Sequence, residues 1–238
     1  MGIFCRFQHI PAPPRPLAMR LVPVFLPYAG CSQRCLYCHQ AAQTGQPSLS
    51  HADLLDHVER VLSGVRGPGG IGLFGGSFTA LPVVVQQRIL EIVRRHMDVR
   101  GERWHVRLST RPDAVPYRAL VRLRRWGVDL VELGVQSFDS TVLARCGRGY
   151  TGAQAEDACR RVFDAGLELG IQLLPGLPGH GQAQWQEDVA RTIAIEPRSV
   201  RIYPCVVVNA TPRARSYAEG RYRPWECHAT VGLVAEAL

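Results

Sequence analysis

Short apolar runs alternate with capped helical stretches along this sequence, and this alternation constrains the fold more than any other feature. Each run has the length of a β-strand; the runs cover residues 21–28, 71–74, 104–108, 129–135, 171–174 and 199–207. Ser50-x-x-Asp53 and Thr151-x-x-Gln154 are capping boxes that begin two of the intervening helices. Strands that alternate with helices predict a parallel sheet covered by helices.

The number of repeated units predicts how far the sheet curls. Six strand–helix units are fewer than the eight of a closed barrel, so we predict an α/β fold, a partial (βα)6 barrel with parallel strands.

The sequence also divides into three segments. Prolines at 11, 13, 14 and 16 predict an extended arm over residues 1–20. The barrel is expected over residues 21–207, and a C-terminal segment with a final helix over 208–238. That helix lacks a C-terminal glycine, proline or basic residue, so whether the native chain continues past Leu238 stays open.

Composition limits the class of protein. With 238 residues, 46% of them hydrophobic and 20% charged, the chain suits one soluble domain with a sizeable core. No apolar run is long enough to span a membrane, so we expect a cytoplasmic protein without membrane association. The net charge of +8 is compatible with an anionic partner and does not by itself identify one. The oligomeric state is not predicted.

Three cysteines with the spacing C-x3-C-x2-C follow the first apolar run directly. Three thiolates on one short loop, here Cys31, Cys35 and Cys38, can bind three irons of a cubane cluster and leave the fourth iron open to another ligand. The alternative is a structural zinc site in which His39 is the fourth ligand. Structural zinc sites usually combine two separated ligand pairs, and the sequence contains no second pair of this kind.

Polar and glycine residues follow two of the predicted strands. Gly75, Gly76 and Ser77 follow the second strand, where paired glycines let a ligand approach the backbone. Gln136 ends the fourth strand, and Arg148 lies in the loop beyond it. An arginine fork can hold a carboxylate while an amide adds a hydrogen bond. On sequence alone, a plain turn at the glycines and a solvated Arg148 remain the alternatives.

The cysteine motif, with Tyr37 before its last cysteine, resembles the signature of the radical S-adenosylmethionine superfamily. The resemblance implies a [4Fe-4S] cluster on Cys31, Cys35 and Cys38, next to which Tyr37 contacts the cofactor. It implies that the open iron binds S-adenosylmethionine, and that one electron from an external flavodoxin-type or ferredoxin-type donor cleaves it to a 5′-deoxyadenosyl radical. The stretch Gly75 to Ser77 is similar to the superfamily's glycine-rich motif, which contacts the methionyl amino group.

Further stretches resemble two branches of that superfamily. Residues 132–137 and 145–151 are similar to a region shared by oxygen-independent coproporphyrinogen dehydrogenase and the radical domain of Elongator's catalytic subunit. The resemblance implies that Gln136 and Arg148 bind S-adenosylmethionine and that Gln172 contacts its ribose. Residues 74–79, 109–113 and 201–211 favour the Elongator-like branch, most of all its short bacterial relatives without an acetyltransferase domain. The resemblance covers roughly residues 21–225.

These observations predict a radical S-adenosylmethionine enzyme with tRNA as a candidate substrate and partner. The alternatives are radical chemistry on a tetrapyrrole or another small molecule, and a zinc-stabilised RNA-binding module. An arginine-rich and aromatic segment suits RNA, because arginine neutralises phosphates and aromatic rings stack on unpaired bases; it contains Arg213, Arg215, Tyr217, Arg221, Tyr222, Arg223 and Trp225. The other interpretation of this segment is a solvated loop whose aromatic side chains pack on the core.

Overall fold

A computed structural model describes residues 20–32, 35–45, 47–65, 67, 69–98 and 104–237 of the chain. The predicted N-terminal arm, apart from Arg20, lies outside the described residues. All predicted strands fall inside them.

The described residues form a six-stranded parallel sheet in which the strands follow one another in sequence order. The strands are β1 (Leu21–Phe25), β2 (Gly70–Phe74), β3 (His105–Thr110), β4 (Leu130–Gln136), β5 (Glu168–Leu173) and β6 (Ser199–Ile202). The sheet curls into a half-barrel. The predicted α/β partial barrel is therefore confirmed, and the carboxyl ends of all six strands meet at one edge.

Helices connect the strands and continue beyond the sheet. They are α1 (Gln40–Thr44), α2 (His51–Ser63), α3 (Val83–Asp98), α4 (Tyr117–Arg125), α5 (Ser140–Arg145), α6 (Gly152–Asp164), α7 (Gln182–Ile195), α8 (Pro212–Ala218) and α9 (Cys227–Ala235). Both predicted caps form, since Ser50 Oγ accepts from Asp53 N and Thr151 Oγ1 from Gln154 N, each at 3.2 Å. Within the described ranges, no helix has the length and apolarity needed to cross a membrane.

Three short helices were not predicted from the sequence. Helices α1, α5 and α8 have five, six and seven residues, so none completes two turns. A hydrophobic period cannot be recognised over such a length. All three lie on the side of the barrel where the strands end, because each follows the loop of a strand's carboxyl end.

The first and last strands are shorter than predicted. After Phe25 the chain turns, and Tyr28 adopts a left-handed backbone with φ 56°. β6 ends at Ile202 instead of Val207, because Pro204 has no N–H for the ladder and Cys205 N bonds to Pro175 O at 2.8 Å instead. Both departures move backbone from the sheet into the loops at the strand ends.

Burial differs between a central strand and its neighbour. All seven residues of β4 are buried, whereas β3 alternates, with Val106, Leu108 and Thr110 buried and the polar residues between them partly exposed. Arg107 and Ser109 of β3 contact the side chain of Glu132 on β4, so these polar residues lie on the inner face of the half-barrel.

Candidate functional site

One cavity at the strand ends contains every site residue predicted from the sequence. Its volume is about 340 Å³, and we call it the strand-end cavity. The predicted residues that line it are Cys31, Cys35, Tyr37, Cys38, Gly75, Gly76, Ser77, Gln136, Arg148 and Gln172. They come from the loops or ends of four strands, so the curl of the sheet brings them together.

The cysteine loop is held by backbone contacts on both of its sides. Cys31 N bonds to Tyr28 O at 2.9 Å, and Cys38 N bonds to Cys35 O at 3.0 Å. In the middle, Leu36 N bonds to Cys146 O at 3.3 Å and Leu36 O accepts from Arg213 N at 3.0 Å. The loop is thus anchored to the C-terminal end of α5 and to the first turn of α8.

A clamp between Tyr28 and Gln40 was missed by the sequence analysis. Gln40 Oε1 accepts from Tyr28 N and Gln40 N donates to Tyr28 OH, each at 2.6 Å. Gln40 Nε2 also donates to Gly75 O, which joins the cysteine loop to the glycine-rich loop. The only sequence signal was the position of Gln40, two residues after Cys38. Both clamp residues line the strand-end cavity.

Arg148 is a buried cation beside the cysteine loop, with only 5% of its surface exposed. Its Nη1 donates to Cys35 Sγ at 3.0 Å and to Tyr37 OH at 3.3 Å. Its Nη2 donates to Gly134 O at 2.6 Å, and its Nε donates to Tyr150 OH at 2.8 Å. The structure therefore rejects the alternative of a solvated loop arginine and places a fixed positive charge against one cysteine thiol.

Gln136 has the least relaxed backbone at the site. Its φ is 71°, in the left-handed region that a non-glycine residue adopts at a cost, and the register with β5 shifts between Leu133 and Gln136. Its Oε1 is buried and has no hydrogen-bond partner among the described residues. A Cβ on Gly134 would crowd Gln136 Nε2, so the glycine keeps room for this amide.

The glycine-rich loop packs directly on the turn that precedes the cysteines. A Cβ on Gly76 would collide with the backbone of Ala29, and Ser77 N bonds to Ala29 O at 2.7 Å. Ser77 Oγ lies 3.5 Å from Cys31 Sγ. A side chain at Gly76 would therefore separate the glycine-rich loop from the first cysteine.

A second missed residue is Glu132, a fully buried carboxylate below the strand-end cavity. Its Oε1 lies 3.2 Å from Arg107 Nη1 and 3.3 Å from Arg201 Nη2. Its Oε2 accepts from Gln172 Nε2 at 3.0 Å, and Gln172 Nε2 also lies 3.1 Å from Ser109 Oγ. A lone carboxylate inside an apolar run predicts such partners, since a buried charge without partners is costly.

The three thiols match the needs of a cluster better than those of zinc. His39 Nδ1 caps α1 by accepting from Ala42 N at 2.9 Å, so one of its two ring nitrogens is already engaged. Among the described residues, no three or more His, Cys, Asp or Glu side chains are close enough together to hold a metal ion. Burial, and then the other two cysteines, raise the pKa of the Cys38 thiol to about 11.

The arginine-rich and aromatic segment divides into a buried and an exposed part. Arg213 and Tyr222 are buried, and the Arg213 guanidinium lies 4.3 Å from the centre of the Tyr222 ring. Trp225 is partly buried and donates from Nε1 to His180 O at 2.8 Å. Arg215, Arg221 and Arg223 are exposed. The two interpretations given for this segment each describe part of it.

The fold and the site together define a class, namely a cofactor-dependent α/β half-barrel with three thiols and a buried arginine at its open end. The chain belongs to the radical SAM superfamily, whose family model matches residues 25–191. Enzymes of this family bind a [4Fe-4S] cluster and S-adenosylmethionine. The predicted family and the predicted cofactors are thereby confirmed.

Several known proteins are similar to this chain. The tRNA uridine(34) acetyltransferase of Methanocaldococcus jannaschii is 28% identical over 133 residues, 55% of this chain and 25% of that protein. The heme chaperone HemW of Synechocystis sp. is 26% identical over 191 residues, 76% of this chain and 46% of that protein. The solved structure of Methanocaldococcus infernus Elp3, lacking residues 1–46, has the same fold, with a TM-score of 0.69 and 20% identity over 92% of this chain and 54% of that one. The chain thus spans a quarter to about half of these relatives' length.

Proposed function

We propose that this chain is a radical S-adenosylmethionine enzyme that acts on tRNA. The observation that carries the proposal is the strand-end cavity, where three thiols, two glycines and the buried side chains of Gln136 and Arg148 surround one space. We assign residues 21–207 to the catalytic barrel and residues 208–238 to a C-terminal segment, whose first helix α8 is bonded to the cysteine loop through Arg213 N and Leu36 O. When bound, the cluster supplies the electron that cleaves a carbon–sulfur bond of S-adenosylmethionine.

The residues of the cavity have separate roles in this proposal. Cys31, Cys35 and Cys38 hold the cluster, and Arg148, 3.0 Å from Cys35 Sγ, stabilises negative charge on its ligands and binds S-adenosylmethionine in the cavity that it lines. Gln136 offers an unpaired amide oxygen to S-adenosylmethionine. The clamp formed by Tyr28 and Gln40 fixes the glycine-rich loop against the cysteine loop.

Gly75, Gly76 and Ser77 bring backbone close to the methionyl group of the cofactor, and Tyr37 stands beside the last cysteine. Gln172 can contact the ribose through its carbonyl oxygen, because its amide nitrogen already bonds to Ser109 and Glu132. A cavity of about 340 Å³ lies within the size range of small-molecule sites.

Two observations support tRNA as the substrate. The basic segment that begins with α8 is bonded to the cysteine loop, through Arg213 N and Leu36 O at 3.0 Å, and it exposes Arg215, Arg221 and Arg223. A relative named for tRNA uridine(34) acetylation matches more than half of this chain. Because the chain covers only 25% of that relative, the acetylation itself is not part of the proposal.

An external one-electron donor of the flavodoxin or ferredoxin type belongs to the same proposal. Leu36, between two of the cysteines, is 37% exposed, and the three cysteines are themselves only partly buried. A donor can therefore approach the loop closely from solvent.

The test is a turnover assay with and without RNA. Reconstituted and reduced enzyme is incubated with S-adenosylmethionine, with or without unmodified tRNA, and 5′-deoxyadenosine and the nucleosides of digested tRNA are measured. We expect 5′-deoxyadenosine formation to rise with tRNA, a new nucleoside to appear, and the Cys35→Ala variant to show neither. Equal 5′-deoxyadenosine formation with and without tRNA, with no altered nucleoside, contradicts tRNA as the substrate.

A second candidate is a tetrapyrrole ligand. The match to HemW extends over 76% of the chain, against 55% for the tRNA-modifying relative. Titration with heme or coproporphyrinogen, followed by absorption in the Soret region for heme, distinguishes the two. Saturable tetrapyrrole binding, together with a turnover assay that does not respond to tRNA, favours this second function.

A further inference from the structure

A larger cavity lies on the other side of the cysteine loop from the strand-end cavity. It has a volume of about 670 Å³, and we call it the rear cleft. Leu36 lines the rear cleft, whereas its neighbours Cys35 and Tyr37 line the strand-end cavity. The cysteine loop is therefore the wall between the two spaces.

Positive charge dominates the lining of the rear cleft. Four arginines line it, three of them exposed (Arg145, Arg221 and Arg223) and one buried (Arg213). The described residues of the lining include no aspartate or glutamate, and from outside the lining Glu219 pairs with Arg221 and Asp188 with His180, which leaves Arg145, Arg213 and Arg223 as the cations that face the space. Such a space attracts anions from solution.

Arg213 is a buried cation without a carboxylate. It is 2% exposed, and its Nη1 has no hydrogen-bond partner among the described residues. Its Nη2 lies 4.0 Å from Cys146 Sγ. Burial raises the pKa of the Cys146 thiol to about 11, so this thiol is neutral near pH 7 and does not balance the guanidinium. A buried charge in this situation is stabilised by an anionic partner.

His180 is the second buried polar residue of the lining, with 3% of its surface exposed. Its Nε2 lies 3.1 Å from Asp188 Oδ2, while Asp188 Oδ1 accepts from Phe138 N at 2.7 Å. The ring is thus fixed from one side. Its Nδ1 has no hydrogen-bond partner among the described residues.

The amino-terminal end of α7 borders the same space. Gly181 and Gln184 line the rear cleft, and the first turn of this 14-residue helix contains no acidic residue. The positive end of a helix dipole favours a phosphate or another anion. Trp225 adds an aromatic surface to the lining and is fixed by its bond to His180 O.

We propose that the rear cleft is a binding site for a phosphate-bearing ligand of nucleotide size. Arg213, His180 and the first turn of α7 hold the phosphate, the exposed arginines at the rim attract it, and Trp225 contacts the attached organic group. The volume suits a nucleotide. Two sources share this chemistry, a free nucleotide and an RNA chain, and only the second rests on the proposed tRNA function.

The experiment measures binding to cluster-reconstituted protein by calorimetry, with saturating S-adenosylmethionine present to keep probes out of the strand-end cavity. The probes are inorganic phosphate, AMP and an unstructured RNA hexanucleotide. The cleft variant is Arg145→Ala with Arg223→Ala, both exposed, so folding is preserved. The matched control removes the same charge from α4 through Arg118→Ala with Arg125→Ala, also exposed and outside the lining.

We expect the cleft variant to bind AMP or the hexanucleotide about tenfold more weakly than the control variant, because two positive charges that attract the anion to the cleft are lost. AMP binding with this pattern identifies a free nucleotide, and binding of the hexanucleotide alone identifies RNA. Phosphate binding with this pattern shows that the phosphate group suffices. Equal affinities in the two variants, or no binding of any probe, overturn the proposal. If phosphate or AMP binds with this pattern while the turnover assay shows no response to tRNA, the rear cleft is a binding site that does not depend on the tRNA function.

Discussion

The two cavities on either side of the cysteine loop differ in how their buried charges are balanced. At the strand-end cavity the protein supplies the partners itself, since Glu132 pairs with Arg107 and Arg201, and Arg148 donates to four acceptors. In the rear cleft, Arg213 and His180 each keep a nitrogen without a partner among the described residues.

The difference follows from the elements that build each space. The strand-end cavity rests on strands, whose register fixes Ser109 beside Glu132 and lets side chains of neighbouring strands meet. The rear cleft is built from loops and from the ends of α7 and α8; Asp188 pairs with His180 and Glu219 with Arg221, but no carboxylate reaches Arg213 among the described residues. A site whose buried cations all have acceptors within the protein is preorganised for cofactor chemistry, whereas one whose buried nitrogens lack acceptors is completed by a ligand.

The largest effect is expected for Cys35→Ala. Reconstituted wild-type protein should bind about four irons per chain, and the variant should lose the cluster because one iron loses its thiolate. Iron and sulfide analysis with absorption spectra measures this. Cys159→Ala, a buried cysteine of α6 outside both cavities, is the control and should keep the cluster. If the wild type binds zinc and shows no iron–sulfur absorption, the strand-end cavity does not hold a cluster.

Glu132→Gln tests the charge balance beneath that cavity. The variant leaves Arg107 and Arg201 without their shared carboxylate, and the free energy of unfolding should fall by about 3 kcal/mol. Urea unfolding measures the change. Glu168→Gln, whose half-exposed side chain contacts His105 and Arg198, should cost less than about 1 kcal/mol. Similar losses in both variants would show that Glu132 has no special role in balancing charge.

Arg148→Ala tests whether the strand-end cavity binds S-adenosylmethionine. Its affinity should fall by about 1.5–3 kcal/mol, the range for a hydrogen bond to a charged group. Folding should be retained, because Gly134 O still accepts from Tyr150 OH at 2.7 Å. Anaerobic calorimetry on reconstituted protein measures the affinity, and Arg118→Ala is the control. If the variant keeps its cluster and its affinity for S-adenosylmethionine is unchanged, Arg148 does not contribute to cofactor binding.

The smallest effect concerns Cys146, which packs against Arg213 behind the loop. Burial raises the pKa of this thiol from 9.0 to about 11, so between these values the thiol ionises in the unfolded chain and stays neutral in the folded one. Stability from this group is present below pH 9 and is lost as pH rises, by up to about 1.4 kcal/mol per pH unit. Urea unfolding from pH 8 to pH 10.5 should show a shallower decline for Cys146→Ala.

Equal slopes for wild type and Cys146→Ala would mean that the thiolate already forms beside Arg213. The rear cleft would then have its own counter-charge, and the contrast between the two cavities would disappear.

Much of the strand-end cavity could be predicted because its residues follow strands directly. An apolar run identifies a strand, and Gly75, Gly76 and Gln136 lie at or just after the ends of their runs. Glu132 could also have been found, since it is the lone carboxylate in the buried run of β4. The clamp of Tyr28 and Gln40 could not, because it depends on a left-handed turn at Tyr28 that neighbouring residues do not signal.

The arginine-rich and aromatic segment shows the opposite case. Its composition left an RNA-binding surface and a solvated loop with packed aromatic side chains both open, and the structure buries Arg213 and Tyr222 while it exposes Arg215, Arg221 and Arg223. The seven residues of α8 are too few to show a hydrophobic period. Composition describes which groups a segment carries, and only packing decides which of them reach solvent.

The sequence by itself determined the parallel half-barrel, the cysteine loop and the family, because strand periodicity and ligand spacing are local properties of the chain. Only the tertiary structure decided that Arg148 is buried against Cys35, that Glu132 balances two arginines, and that Arg213 joins His180 in a separate cleft. These contacts join residues tens of positions apart. They form because the curl of the sheet and the packing of loops on its edge bring those residues together, which no local pattern encodes.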